Sequence, residues 1–417
     1  MKDWIFNTNI YEVNLRQYTP EGNFKAFLPH LPRLKEMGVE TLWFMPLTPI
    51  SEKNRKGTMG SYYACSSYTT ISEEFGTEAE FKELMQTAHA MGMKVIIDWV
   101  ANHTGWDHEW TMSHPEWYKR DETGAFLKAS GMDDIIELDF LKQELRNAMI
   151  RSMTWWIDQF DIDGFRCDLA SWVQLDFWIE AKKNIDKVKE LFWLAEADAL
   201  ENPEYMQVFD AAYSWKWMHR TADYAKGFAG FPELITILQQ YRQSPGIPAW
   251  FTSNHDENSW NGTEYEKYGE WTLGLTVFSM TFPGIFLIYS GQELPNTKRL
   301  LFFDKDVIEW KEAAEPGLSK FFSLGLKLRK KNKTLDFRSS LERIHTSADE
   351  KVFAFQRRKD EDEIVVVLNF SGQALRVELY DERVKGNYTE LFSGEERDFS
   401  LLRTLHLPTY GYLVFHR

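Results

Sequence analysis

Three acidic residues close three separate apolar runs: Asp168 in GFRCD, Glu196 in LFWLAEA and Asp256 in AWFTSNHD. Carboxylates grouped this way suit the cleavage of a glycosidic bond. That reaction passes through an oxocarbenium-like state, so it calls for an anion at the anomeric carbon and an acid on the departing oxygen. Arg166 lies two residues before Asp168, hence on the same side of a strand, where a guanidinium favours the charged carboxylate. Glu196 follows LFWLA, where burial favours the neutral form of a carboxyl.

Bringing these acids together demands elements whose ends share one face. The parallel, buried strands of a β/α barrel do this, because their C-terminal ends open onto a common mouth. Eight apolar, β-branched or aromatic runs alternate with amphipathic stretches, at 9–15, 39–45, 94–100, 164–169, 192–197, 211–215, 249–253 and 285–290. Eight is the number a closed barrel requires. Among the helices, 79–91 places Phe81, Leu84, Met85 and Ala88 on one face and stops at Gly92. Residues 101–140 are rich in His, Trp, Asp and Gly without a clear period, and read as a functional insertion. Beyond RKKNKTLDFRSS the period changes, and 351–357 and 363–368 alternate or run β-branched. The expected fold is α/β: a (β/α)8 TIM barrel over 1–100 and 141–335, a short inserted loop domain over 101–140, and a C-terminal antiparallel β-sandwich domain over 336–417.

At 417 residues and 43% hydrophobic content, the chain can bury a large core and carry more than one domain. A net charge of −15 with no basic stripe argues against a nucleic-acid partner and sits easily with a neutral substrate. The 17 Trp suit stacking on sugar rings, although any single one is more often core. Cys65 and Cys167 lack metal-ligand or disulfide spacing and are expected to be free thiols. No run approaches the roughly 18 apolar residues of a membrane helix, so no membrane partner is expected. MKDWIFNTNIYEV lacks the pattern of a leader, which makes the cytoplasm the default compartment, or the periplasm or exterior for a chain whose leader has been removed.

In order, DWVANH (98–103), GFRCD (164–168), the AEA around Glu196 and SNHD (253–256) resemble the four signatures of the α-amylase family of glycoside hydrolases, glycoside hydrolase family 13. GVETLWFMP (38–46), GSYYACSSYTTISEEFGT (60–77), ELDF (137–140) and PGIFLIYSGQE (283–293) agree, so the likeness covers nearly the whole chain. The resemblance implies Asp168 as nucleophile, Glu196 as general acid/base and Asp256 as a third carboxylate gripping sugar hydroxyls. It further implies His103 and His255 as donors to those hydroxyls, Tyr63 as the ring stacked beneath the sugar, and Asp98 as a brace for Arg166. A retaining pair predicts carboxyl groups of Asp168 and Glu196 about 5–5.5 Å apart.

The chain also departs from the family pattern. Where many relatives continue the second signature with Lys-His, Ser171 and Trp172 stand here. Trp172 is then either an aromatic platform beside the cleavage point or a packing residue. Asn102 matches a calcium ligand of the family, yet Asp107, Asp121, Asp133 and Asp134 show no spacing that converges on it, and calcium wants roughly 6–8 oxygen ligands. No cofactor is required for the chemistry, and calcium is expected less than its absence. YTPEGNF lacks the Asp-rich loop with which some relatives hold a second metal. The expected activity is retaining hydrolysis of α-1,4-glucosidic bonds in starch-like glucans or maltooligosaccharides. An α-glucosidase, neopullulanase or glucanotransferase using the same triad is the alternative within this chemistry, and a non-catalytic glucan-binding relative the alternative outside it.

Overall fold

The eight runs close on themselves. The computed structural model describes residues 2–310 and 316–417; Met1 and 311–315, inside the expected barrel domain, lie outside the described residues. Parallel strands at Asn9–Val13, Thr41–Phe44, Lys94–Trp99, Gly164–Cys167, Phe192–Asp198, Ala211–Tyr213, Ile247–Trp250 and Ile285–Tyr289 pair in chain order, and the eighth returns to pair with the first. The seventh starts two residues earlier than the sequence predicts. Pro248, which reads as a strand breaker because it cannot donate to a ladder, sits inside it.

Alternation along the strands divides the core in two. Ile10, Trp43, Ile96, Leu194, Tyr213 and Leu287 fill the barrel interior, while Tyr11, Leu42, Ile97, Phe165, Trp193 and Trp250 face outward and pack in the larger cluster under the helices. The helix Glu78–Ala90 shows how that outer layer forms: a Thr77–Glu80 capping box starts it, Phe81, Leu84, Met85 and Ala88 are its buried face, and Gly92 at φ +70° follows its end. Within the insert, His103–Gly105 pairs antiparallel with Ile135–Glu137. Trp110, Trp117 and Tyr118 are buried beside this ribbon, which explains how a segment without period stays ordered.

The C-terminal region folds as a six-stranded antiparallel sheet with a two-stranded sheet against it. Its central hairpin, Val352–Lys359 with Asp362–Asn369, is two-faced. Val352, Ala354, Val365 and Val367 face the small sheet's Val377, Leu405 and Leu407; Phe353, Phe355, Val366 and Leu368 join the barrel's cluster. Two fully buried arginines fasten this junction to main-chain oxygens. Arg329, on the helix Pro316–Lys331, donates to the carbonyls of Met280 (2.6 Å) and Gly284 (2.8 Å), and Arg357 to those of Thr281 (3.1 Å) and Asp336 (2.6 Å). Burial lowers their pKa values to about 10 and about 9. Among the described residues no helix is long and apolar enough to cross a membrane, and Cys65 and Cys167 are buried free thiols.

Gly164 opens the fourth strand where an added Cβ would lie 2.3 Å from the Phe192 carbonyl oxygen. Backbone on a neighbouring strand has little room to yield. Gly164→Ala is therefore expected to cost about 1–3 kcal/mol, seen as a lower urea midpoint at unchanged slope.

Candidate active site

The fourth strand carries the organising residue. Arg166 points into the barrel mouth, fully buried, and its Nη1 donates to Asp98 Oδ1 at 2.9 Å and to Asp168 Oδ1 at 2.9 Å. Its Nη2 stands 2.9 Å from Glu196 Oε2 as an ion pair without the alignment of a hydrogen bond. Three carboxylates from strands three, four and five thus meet one guanidinium. Glu196 Oε2 also accepts from the Leu169 amide at 2.8 Å, which ties the fifth strand's acid to the turn just after Asp168. Leu169 makes that turn at φ +41°, a left-handed conformation that a non-glycine residue holds only at a cost.

Arg166 pairs with Asp168 and pulls its carboxyl toward the charged form, against opposing effects. Burial and the adjacent Glu196 carboxylate push the Asp168 carboxyl well above the usual range, and Arg166, which also serves Asp98, offsets them only in part. Burial likewise pushes Asp98 up to about 6 against the pull of Arg166. Asp98 is braced further by the Trp43 indole N–H (3.2 Å) and the Tyr63 hydroxyl (3.1 Å).

A second ionic group stands beside the first. Burial would lower the pKa of His255, but Asp256 and Glu12 hold it well above the ordinary imidazole value. As an imidazolium it donates from both nitrogens: Nδ1 to Glu12 Oε1 at 2.5 Å, and Nε2 toward the Tyr63 hydroxyl (2.7 Å) and Asp256 Oδ2 (3.2 Å). Burial would raise Asp256; the His255 charge keeps it below the usual carboxylate value. The rings of Tyr63 and His255 are stacked at 5.3 Å. Glu12, fully buried on the first strand, was missed by sequence reasoning. Its signal is an acid in the apolar run NIYEV, but its partner lies 243 residues away.

These groups surround a cavity of about 370 Å³ whose lining includes Tyr63, His103, Asp168, Glu196 and Asp256. His103 is neutral, with burial lowering its pKa to about 4. The Asn102 amide donates to its Nδ1 at 3.3 Å, leaving the buried Nε2 without a protein partner on a cavity-lining residue. Two expected residues fall elsewhere. Trp172 is 44% exposed in the short turn Ala170–Trp172 and does not line this cavity, whereas Leu169, just before it, does. Asn102 supports His103 rather than facing acids: Asp107 accepts from the Glu52 and Lys53 amides, Asp121 from Thr123 and Ala125, Asp133 pairs with Lys128 and Asp134 with Lys56. A donor set spent in this way does not fit a hard cation at Asn102. Trp260, in the π-helical turn Glu257–Asn261, and Phe302 and Phe303, in an irregular segment, also line the cavity, and no periodic pattern marks them.

A closed parallel barrel with clustered carboxylates at its C-terminal mouth defines the class of scaffold. The chain belongs to the α-amylase family: the family model for the alpha amylase catalytic domain matches residues 7–116 and 111–349, and that for the maltogenic amylase C-terminal domain matches 341–414. Among solved structures it is similar to the maltogenic alpha-amylase AmyB from Thermotoga neapolitana, at 30% identity and TM-score 0.90, covering 99% of each chain. An alpha-amylase from Lactobacillus plantarum is similar at 28% identity and TM-score 0.89, covering 100% of both. Among curated proteins, alpha-amylase MalA of Haloarcula japonica is 27% identical over 420 residues, which covers 94% of this chain but 59% of that protein's length.

Removing the guanidinium charge leaves three carboxylates facing one another. Arg166→Gln is expected to cost about 3–5 kcal/mol near neutral pH. The uncompensated acids then take up protons more readily folded than unfolded, so the deficit shrinks as pH falls toward about 5. Urea titrations of both proteins at the two pH values measure this.

Proposed function

We propose that the protein is a retaining glycoside hydrolase that cleaves α-1,4-glucosidic bonds in starch-like glucans or maltooligosaccharides. The observation that carries this reading is the single guanidinium of Arg166 bridging Asp168 and Glu196 at a cavity that Asp256 also lines. The names of relatives, alpha-amylase and cyclomaltodextrinase among them, support the substrate class.

In the free site burial and the neighbouring Glu196 carboxylate favour the neutral form of Asp168. A glucosyl ring over Asp168 changes the balance. Positive charge growing on the anomeric carbon favours the ionised Asp168 and leaves the proton on Glu196. Asp168 then attacks the anomeric carbon while the bond to the departing oxygen breaks and Glu196 protonates that oxygen. In the second step Glu196 takes a proton from water, the water oxygen bonds to the anomeric carbon, and the bond to Asp168 breaks, restoring the original configuration. Asp256, held ionised by His255, grips ring hydroxyls; His103 offers its free Nε2 to another, and Tyr63 forms the floor.

Glu196→Gln is expected to lower kcat/KM on maltooligosaccharides by about 10²–10⁴ yet to spare the first step on α-maltosyl fluoride, whose leaving group needs no proton. Asp168→Asn loses both activities. NMR of the first product reports the α-anomer; initial release of the β-anomer contradicts the scheme.

A further inference from the structure

One wall of the cavity is a strap built by three loops. Residues 51–60 follow the second strand and are fastened at two places. At the insert, Asp107 accepts from the amides of Glu52 and Lys53 (2.9 and 3.0 Å), and Lys56 Nζ pairs with Asp134 Oδ1 at 2.7 Å. Beyond the eighth strand, the Thr58 amide and hydroxyl both donate to Asp304 Oδ1 (2.8 and 2.6 Å), and the Met59 amide donates to the Phe303 carbonyl at 3.0 Å. Gly57 sits between them at φ +61°, where an added Cβ would lie 2.5 Å from Phe303 Cβ, so the strap closes at contact distance. Lys56, Asp134 and Phe303 all line the cavity.

The barrel order says which end of a bound chain meets this strap. Strands eight, one, two and three form one continuous arc of the closed sheet, and the fifth, which carries Glu196, lies across the mouth from it. On the reading proposed above, on which this inference rests, Glu196 protonates the departing oxygen, so the leaving chain extends on the Glu196 side. The retained glycone extends the other way, toward the strap. We infer that the 51–60 strap is a glycone stop, which makes the enzyme take non-reducing chain ends and release a short saccharide rather than cut within chains. A terminal unit at the stop finds the Lys56 ammonium and Asp134 carboxylate side by side as donor and acceptor for its hydroxyls, with the Phe303 ring next to them at 5.8 Å from Lys56 Nζ.

Two p-nitrophenyl maltoheptaosides test this, one with a free non-reducing end and one with that end blocked by an ethylidene group. The wild-type protein is expected to cleave the open substrate at least about tenfold faster than the blocked one, with a single short saccharide as first product. Asp304→Ala with Lys56→Ala removes the side-chain tie at each end of the strap, leaving the Asp107 clasp and the Met59–Phe303 bond, and is expected to narrow that ratio. Equal rates on the two substrates by the wild-type protein overturn the glycone stop while leaving the hydrolase reading standing. A ratio unchanged in the folded double variant overturns the assignment to the strap. No turnover of either substrate overturns the parent reading and this one with it.

Discussion

Everything at the barrel mouth depends on one buried guanidinium. Arg166 has no exposure to water, and it meets Asp98, Asp168 and Glu196. A charge in that position is tolerable only because three carboxylates surround it, and they are tolerable only because it is there. Five carboxyl groups, those three with Glu12 and Asp256, share two cations, Arg166 and His255. The surplus of negative charge has a chemical meaning. It makes the site hold a proton when empty, and it favours positive charge that develops on a sugar ring, which is electrostatic preorganisation in its simplest form.

The legibility of this site follows from how local each signal is. Asp168, Glu196 and Asp256 announce themselves because each lies at or beyond the tail of an apolar run, and the strand ends of a barrel share one face. The amphipathic helix 79–91 and the alternating hairpin near 352–369 are legible for the same reason: a period is written in consecutive residues. Glu12 is not, since its meaning comes from His255 on the far side of the chain's length. Nor is the protonation of Asp168, which depends on how one guanidinium divides itself among several acids rather than on its spacing from any one of them. Trp172, left by the motif as either a platform or a packing residue, stands exposed just after the left-handed turn at Leu169.

The loops around the mouth have freedom that the strands lack. The strand-borne groups must hold their distances to Arg166, whereas Lys56, Asp107, Asp134 and Asp304 in the insert and in the segments after strands two and eight are tied to other loop residues. Their contacts here are numerous: the Asp107 and Asp304 clasps and the Lys56–Asp134 pair join three loops into one wall. In this division the groups fit for chemistry belong to the strand ends and the shape of the cleft wall to the loops.

The two arginines beneath the barrel carry a consequence for the whole chain. The carbonyls that Arg329 and Arg357 hold, at Met280, Thr281 and Gly284, all lie on the approach to strand eight. That strand is the seam: it zips to the first strand, which carries Glu12 beneath His255. Pulling the distal sheet away takes Arg357 from the Thr281 carbonyl, while Arg329, on the helix Pro316–Lys331, keeps its hold on Met280 and Gly284. Arg357 thereby couples the distal sheet to the seam, because parting the two strips a buried charge of one of its acceptors.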